Sequence, residues 1–182
     1  MKRLITLTTD FGLLDEYVGG MKGVILSRLP DARLVDLTHQ IPPQDVARAA
    51  YLLEAAVPYF PAGTLHLLVV DPGVGTERRI IAVQAGGQLF LAPDNGVLTL
   101  PIRRRLEAAY QVDCPELYLQ PVSRTFHGRD IFAPVAAALA GGFPPADLGR
   151  RLAREELPLL SFGEARADPA RRTMSGQVVS ID

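Results

Sequence analysis

Three short polar clusters carry reactive residue types in an otherwise apolar chain. Ser123-Arg124-Thr125-Phe126-His127-Gly128-Arg129-Asp130 sets a histidine and the two charges of Arg129 and Asp130 at the mouth of an apolar helix, where a core helix has no use for them. Leu7-Thr8-Thr9-Asp10-Phe11-Gly12 closes the first apolar run, and Val69-Val70-Asp71-Pro72-Gly73-Val74-Gly75-Thr76-Glu77-Arg78-Arg79 closes a later one. Asp10 and Asp71 both follow predicted strands, and open α/β sheets bind ligands beyond the carboxyl ends of their strands. A carboxylate at such a place can also merely cap a turn, as Asp-Pro-Gly sequences do. His127 is followed by Gly128 and Arg129 at a helix start, where a backbone amide or an anion can be presented. The three clusters read as one site.

Familiar loop signatures do not explain them. Gly73 and Gly75 lack the third glycine of a dinucleotide loop, and a strand rather than a phosphate-binding helix is predicted to follow. No Gly-Lys-Ser/Thr phosphate loop occurs, and Asp10-Phe11-Gly12 stands without the other parts of a kinase. The three histidines, His39, His66 and His127, are not at metal-binding spacing. His66 reads as a strand residue with one hydrogen-bonded face, while His39 fits either a turn or the lining of a site.

The elements that must position these residues alternate strand and helix. Leu4 to Thr8 reads as a buried strand, Asp15 to Leu29 as a helix stopped by Pro30, and Arg33 to Leu37 as the next strand. Gln44 to Ala56 repeats apolar residues at helical spacing behind Pro42-Pro43. Thr64 to Val70 is the almost continuous apolar run of a strand covered on both faces. Arg79 to Gln84 and Gln88 to Ala92 flank Gly86-Gly87, the two-residue signature of a hairpin. Arg79, as the first residue of that strand, is expected to tolerate substitution better than Arg78. Ile131 to Leu139 is an alanine-rich helix ended by Gly141-Gly142. The expected fold is α/β, a three-layer sandwich around a mixed, largely parallel sheet. Residues 1–160 form the α/β domain, 161–173 a polar linker, and 174–182 the first strand of a β domain.

With 182 residues and 48% hydrophobic content, the chain is long and apolar enough to build a core. Its 19 Lys plus Arg balance 20 Asp plus Glu, so no bulk field draws in nucleic acid or an anionic membrane. Arg103-Arg104-Arg105 reads as a solvated helix face. The single cysteine, Cys114, excludes an internal disulfide and fits a reducing, cytoplasmic setting. No apolar stretch is long enough to span a bilayer.

Five ordered motifs then carry a resemblance. Thr8-Thr9-Asp10-Phe11-Gly12, Tyr17-Val18-Gly19 with Met21-Lys22-Gly23, Val70 to Thr76, Pro93-Asp94-Asn95-Gly96 and Thr125 to Pro134 closely resemble the S-adenosyl-L-methionine (SAM) hydrolases, or SAM hydroxide adenosyltransferases, relatives of the fluorinating and chlorinating enzymes. The resemblance implies hydrolysis of SAM to adenosine and L-methionine, with SAM as substrate and neither cofactor nor metal. By motif position Asp71, Arg78 and His127 are the set that positions the water, and Asp10 holds the two ribose hydroxyls. Phe11, Asp94, Asn95 and Gly128 fall in the same motifs and are expected to line the substrate. The halogenating branch has an aromatic where Asp71 stands, which argues for water. A homotrimer is implied, its substrate lying between one subunit's α/β domain and a neighbour's β domain, and relatives continue well past residue 182. A halide-using transferase and a binding module that holds SAM or adenosine without turnover are the alternatives.

Overall fold

The computed structural model describes residues 3–163, 166–176 and 178. Six strands form one sheet in the order β2-β1-β3-β5-β4-β6. Strands β1 (Leu4–Thr9), β2 (Arg33–Thr38), β3 (Leu65–Val69) and β5 (Gln88–Pro93) run parallel, whereas β4 (Ile80–Ala85) is antiparallel to both β5 and β6 (Leu106–Gln111). Parallel neighbours need crossovers. Helices α1 (Tyr17–Arg28) and α2 (Val46–Ala56) supply them between β1, β2 and β3.

The alternation of side chains along β3 builds the three layers. Leu65, Leu67 and Val69 face a core shared with Met21 and Ile25 of α1 and with Val135 and Leu139 of α4 (Ala133–Gly141). Leu68 and Val70 face the other core, with Ala49 and Leu53 of α2 and Ile102 of α3 (Thr99–Arg105). Every residue of β3 is buried, which is why the segment reads as an almost continuous apolar run. Gly86 and Gly87 take φ of 59° and 75°, the left-handed pair of a tight hairpin between β4 and β5. Among the described residues no helix is long and apolar enough to cross a membrane.

Two differences from the sequence reading have physical causes. Helix α3 and strand β6 follow one another directly at Arg105 and Leu106, and β6 was not anticipated. Leu-Glu-Ala-Ala-Tyr-Gln has little intrinsic strand preference, and pairing with β4 overrides it. The stretch expected as a linker carries β7 (Arg166–Asp168), antiparallel to β8 (Thr173–Ser175). The Asp168 carboxylate makes that turn, accepting the N–H groups of Ala170 and Arg171 at 3.1 Å. Of the strand expected toward the C-terminus, Gly176 and Val178 lie outside any strand, and Gln177 and 179–182 fall outside the described residues. His66, by contrast, is the strand residue expected, and it is bonded on both ring nitrogens.

His66 is fully buried in β3 and stacks on Phe90. Gln88 donates from Nε2 to the carbonyls of Val57 and Phe60, so its Oε1 accepts from His66 Nε2 at 2.5 Å; His66 Nδ1 then accepts from Thr6 Oγ1 at 2.8 Å. This geometry holds the ring neutral, and burial pushes its pKa down to about 4. The unfolded chain takes up that proton near pH 6.5, so folding stability is complete above 6.5 and falls as the pH drops toward 4. The expected loss across that window is about 3 kcal/mol. Urea unfolding at a series of pH values measures it, and His66→Gln should flatten that part of the curve.

Candidate active site

Asp10, Asp71 and Asp94 follow β1, β3 and β5, three adjacent parallel strands, and so share the carboxyl edge of the sheet. Asp71 and Arg78 sit at the two ends of the loop between β3 and β4. The loop folds back tightly: Gly75 has φ of 77°, and a Cβ there would come within 2.7 Å of the Arg124 carbonyl oxygen. A Cβ on Gly73 would press on Arg78 Cγ at 3.0 Å. Glycine is required at 75, and at 73 it leaves the Arg78 side chain room to return over the aspartate.

The pair is closely made. Arg78 Nε donates to Asp71 Oδ1 and Oδ2 at 3.0 and 2.8 Å, and Nη2 donates to Oδ2 at 2.5 Å. Both side chains are largely buried. Arg78 Nη2 also lies 2.9 Å from His127 Nδ1. A guanidinium only donates, so Nδ1 must accept and the neutral imidazole carries its hydrogen on Nε2. Burial lowers the His127 pKa, the Arg78 charge lowers it further, and Asp71 and Asp130 act in the opposite sense. The Arg78 guanidinium also lies over the Phe132 ring, 5.7 Å from its centroid.

His127 precedes a π-helical turn over Gly128–Phe132, where the Ala133 N–H reaches five residues back to the Gly128 carbonyl, before α4 continues in regular form. Widened turns of this kind are frequent at functional sites. Asp130, fully buried, fixes the preceding loop by accepting the Ser123 N–H at 2.8 Å and pairing with Arg129 at 2.6 Å. Gly128 packs against Phe11: a Cβ would meet that ring at 3.1 Å and Met21 Sδ at 3.2 Å. Phe11 meets Tyr17 and Phe126 edge to face, at centroid distances of 6.0 and 6.1 Å. These contacts join the His127 segment to the Asp10 loop. Asp10 itself is steadied by the Gln44 N–H, which donates to Oδ2 at 2.8 Å. His39 resolves as a turn clamp: its Nδ1 pairs with Thr9 Oγ1 at 2.9 Å, and its carbonyl accepts the Gly12 N–H at 2.8 Å.

Asp94 and Asn95, expected to line the substrate, direct their polar atoms into the protein. Asn95 Nδ2 donates to the Val70 carbonyl at 2.9 Å, and its Oδ1 accepts the Val97 N–H at 3.1 Å. Asp94 Oδ2 accepts from Arg79 Nε at 2.7 Å; its Oδ1 is buried and has no partner among the described residues. Burial raises the Asp94 pKa, and the Arg79 charge opposes that rise. Arg79 is not the first residue of the strand, since β4 starts at Ile80, and it pairs with a buried carboxylate that its loss would leave unpaired. Hairpin register could have revealed this pair, because one step beyond Ile80 opposite Pro93 sets Arg79 opposite Asp94.

A hollow of about 410 Å³ opens beside Arg78 and Arg79, walled by Glu77, Asp94 and Glu155 to Pro158. A separate apolar cavity of about 440 Å³ lies at the other end of the sheet, among Leu65, Leu89, Leu139 and Phe143. It contains none of the clustered charges, so concavity alone does not locate the chemistry.

Residues 5–149 match the family described as SAM hydroxide adenosyltransferase N-terminal domain. The chain is 43% identical over 180 residues to an (R)-S-adenosyl-L-methionine hydrolase of Salinispora arenicola, covering 98% of this chain and 68% of the relative. It is 32% identical over 207 aligned residues to a fluorinase of Nocardia brasiliensis, covering 98% of this chain and 67% of that protein. A crystal structure of a conserved protein from Thermotoga maritima superposes with a TM-score of 0.85 at 41% identity, over 88% of this chain and 62% of that one. The chain thus spans roughly two thirds of the length of the proteins it matches.

Proposed function

From the premise that this chain belongs to the SAM hydroxide adenosyltransferase family, we propose that it hydrolyses S-adenosyl-L-methionine to adenosine and L-methionine through Asp71, Arg78 and His127. The observation that carries this reading is the continuous chain of contacts from the Asp71 carboxylate through Arg78 to His127 Nδ1 at 2.9 Å. In the reaction the oxygen of water attacks C5′. The C5′–S bond breaks, its electron pair neutralises the sulfonium, and methionine leaves as a thioether. One proton of the water must also depart.

The leaving group needs no acid, so the barrier lies in the nucleophile. Making free hydroxide at pH 7 would cost ~12 kcal/mol. Arg78 and the Nε2–H of His127 both donate toward the incoming oxygen and stabilise its developing hydroxide character, which a partly dry site strengthens. The Asp71 carboxylate takes the departing proton and relays it to solvent. The tautomer imposed by Arg78 makes His127 a donor to the water. Asp10 receives the ribose hydroxyls, and Phe11 and Gly128 form the wall beside it. The single cysteine supports a cytoplasmic setting, and by the resemblance the proposed assembly is a homotrimer whose reaction uses neither cofactor nor metal.

Hydrolysis is favoured over halide transfer by Asp71, because a carboxylate can hold a water and accept its proton, whereas a halide ion has no proton to give. Chromatography of SAM incubated with the protein should give adenosine and methionine in equal amounts, with no halogenated nucleoside in chloride buffer. Binding without products would instead support the non-catalytic module. The pH profile follows from His127. Protonation puts an N–H on Nδ1 against the Arg78 N–H and breaks their bond, so activity needs the neutral ring. Its pKa is lowered, so kcat/KM should hold as the pH falls through 6.5 and decline only at a lower pH. A limb above 6.5 would contradict this assignment.

A further inference from the structure

We propose that Asp94 and Asn95 are positioning residues that hold the two ends of the Asp71–Arg78 loop in register, and are not ligands of the substrate. For its bearing on turnover this inference rests on the hydrolase reading; the geometry it describes does not.

The two residues grip opposite ends of one loop. Asn95 Nδ2 donates to the carbonyl of Val70, the residue immediately before Asp71. Asp94 is bonded twice to Arg79, the residue immediately after Arg78: its N–H donates to the Arg79 carbonyl at 2.9 Å, and its Oδ2 accepts from Arg79 Nε at 2.7 Å. A dipeptide at the end of β5 thereby sets the spacing between the carboxylate and the guanidinium that must pair. The Asp94 side chain is only 3% exposed. Its other oxygen, Oδ1, has almost no accessible surface and no partner among the described residues, so the carboxylate presents no free oxygen to the hollow that the residue helps to wall. Glu156 completes the anchor from the far side: its carbonyl accepts from Arg79 Nη2 at 2.7 Å, and its carboxylate is itself held by Arg150. Each of these groups points at the neighbours of the reactive pair, and none at the pair itself.

His127 reports on where Arg78 sits, because Arg78, Asp71 and Asp130 are the charged groups that act on its imidazole. If Asp94 positions Arg78 through Arg79, Asp94→Asn lets the guanidinium drift from Nδ1, and the His127 pKa rises toward its ordinary value. The direct effect of removing an anion would have the opposite sign, because a lost negative charge makes imidazolium harder to form. The sign therefore separates positioning from simple electrostatics.

The test is an NMR titration of the three histidines in the wild type, Asp94→Asn, Arg79→Lys and Arg78→Ala, with Arg104→Ala at the exposed Arg104–Glu54 pair as control. Asp94→Asn and Arg79→Lys should each raise the His127 pKa by at least half the rise seen in Arg78→Ala, and Arg104→Ala should leave it in place. An unchanged or lowered value in a folded variant overturns the proposal. Arg79→Lys, which keeps the charge and loses the planar fork, carries the test if Asp94→Asn does not fold. The kinetic counterpart is a cycle. Asp94→Asn should lower kcat about 10-fold, with substrate affinity unchanged, when Arg78 is present and have no further effect in Arg78→Ala. A loss of affinity with kcat intact would make Asp94 a ligand after all. If the wild type does not turn over SAM, the hydrolase reading fails while the titration still decides the geometry.

Discussion

Replacing Arg78 with alanine is expected to lower kcat by ~10²-fold or more while substrate affinity changes little. The guanidinium acts on an oxygen that gains charge only as it attacks, so its help is concentrated in the transition state. A hundredfold loss corresponds to about 3 kcal/mol, within the range for one preorganised donor in a partly dry site. Alanine also strands the Asp71 carboxylate, which is 5% exposed, so destabilisation must be separated from catalysis. Arg78→Lys makes that separation. It keeps the charge near Asp71 but cannot hold Asp71 and His127 together with one planar group, and it should still lose most of the rate. His127→Ala should fall in the same range through loss of the Nε2 donor. Steady-state kinetics with calorimetric binding measure both quantities. Loss of affinity with kcat preserved would contradict the role given to Arg78.

Asp10→Ala should show the reverse pattern, with affinity weakened by ~10- to 10²-fold and kcat affected far less. One carboxylate can accept hydrogen bonds from two vicinal hydroxyls, and its charge attracts a cationic substrate. Those interactions are present before and during the reaction alike, and such uniform binding appears in KM rather than kcat. The Gln44 N–H that steadies Oδ2 is a backbone group, so Asp10→Asn should keep the local fold while losing the charge. Equal changes in kcat for Asp10→Ala and Arg78→Ala would remove this division of labour.

The contrast between these residues follows from what the sequence made visible. Asp10 and Asp71 were legible because each stands directly after an apolar run that could only be a strand, where open α/β sheets keep their ligands. His127 stood out because an imidazole and charges preceded an alanine-rich helix. The core needed little beyond pattern: β3 is buried along its whole length, as a run that is apolar except for His66 leads one to expect. Strand β6 was hidden because its residues acquire strand geometry from β4, a contact that its own sequence does not carry. The same limit applied to Asp94 and Arg79. Each alone looks like an ordinary charge near a turn, and only the hairpin register joins them. Nor could a motif choose the tautomer of His127, which depends on a donor arriving from 49 positions away in the chain.

Hydrolysis of SAM in water enriched in heavy oxygen, followed by mass spectrometry of the adenosine, tests the central claim most directly. Attack by water at C5′ through Asp71, Arg78 and His127 predicts one heavy oxygen per adenosine, carried on the 5′ hydroxyl, and none in the methionine carboxylate. Adenosine that forms without the label, or a label found elsewhere in the products, would contradict displacement by water at that carbon.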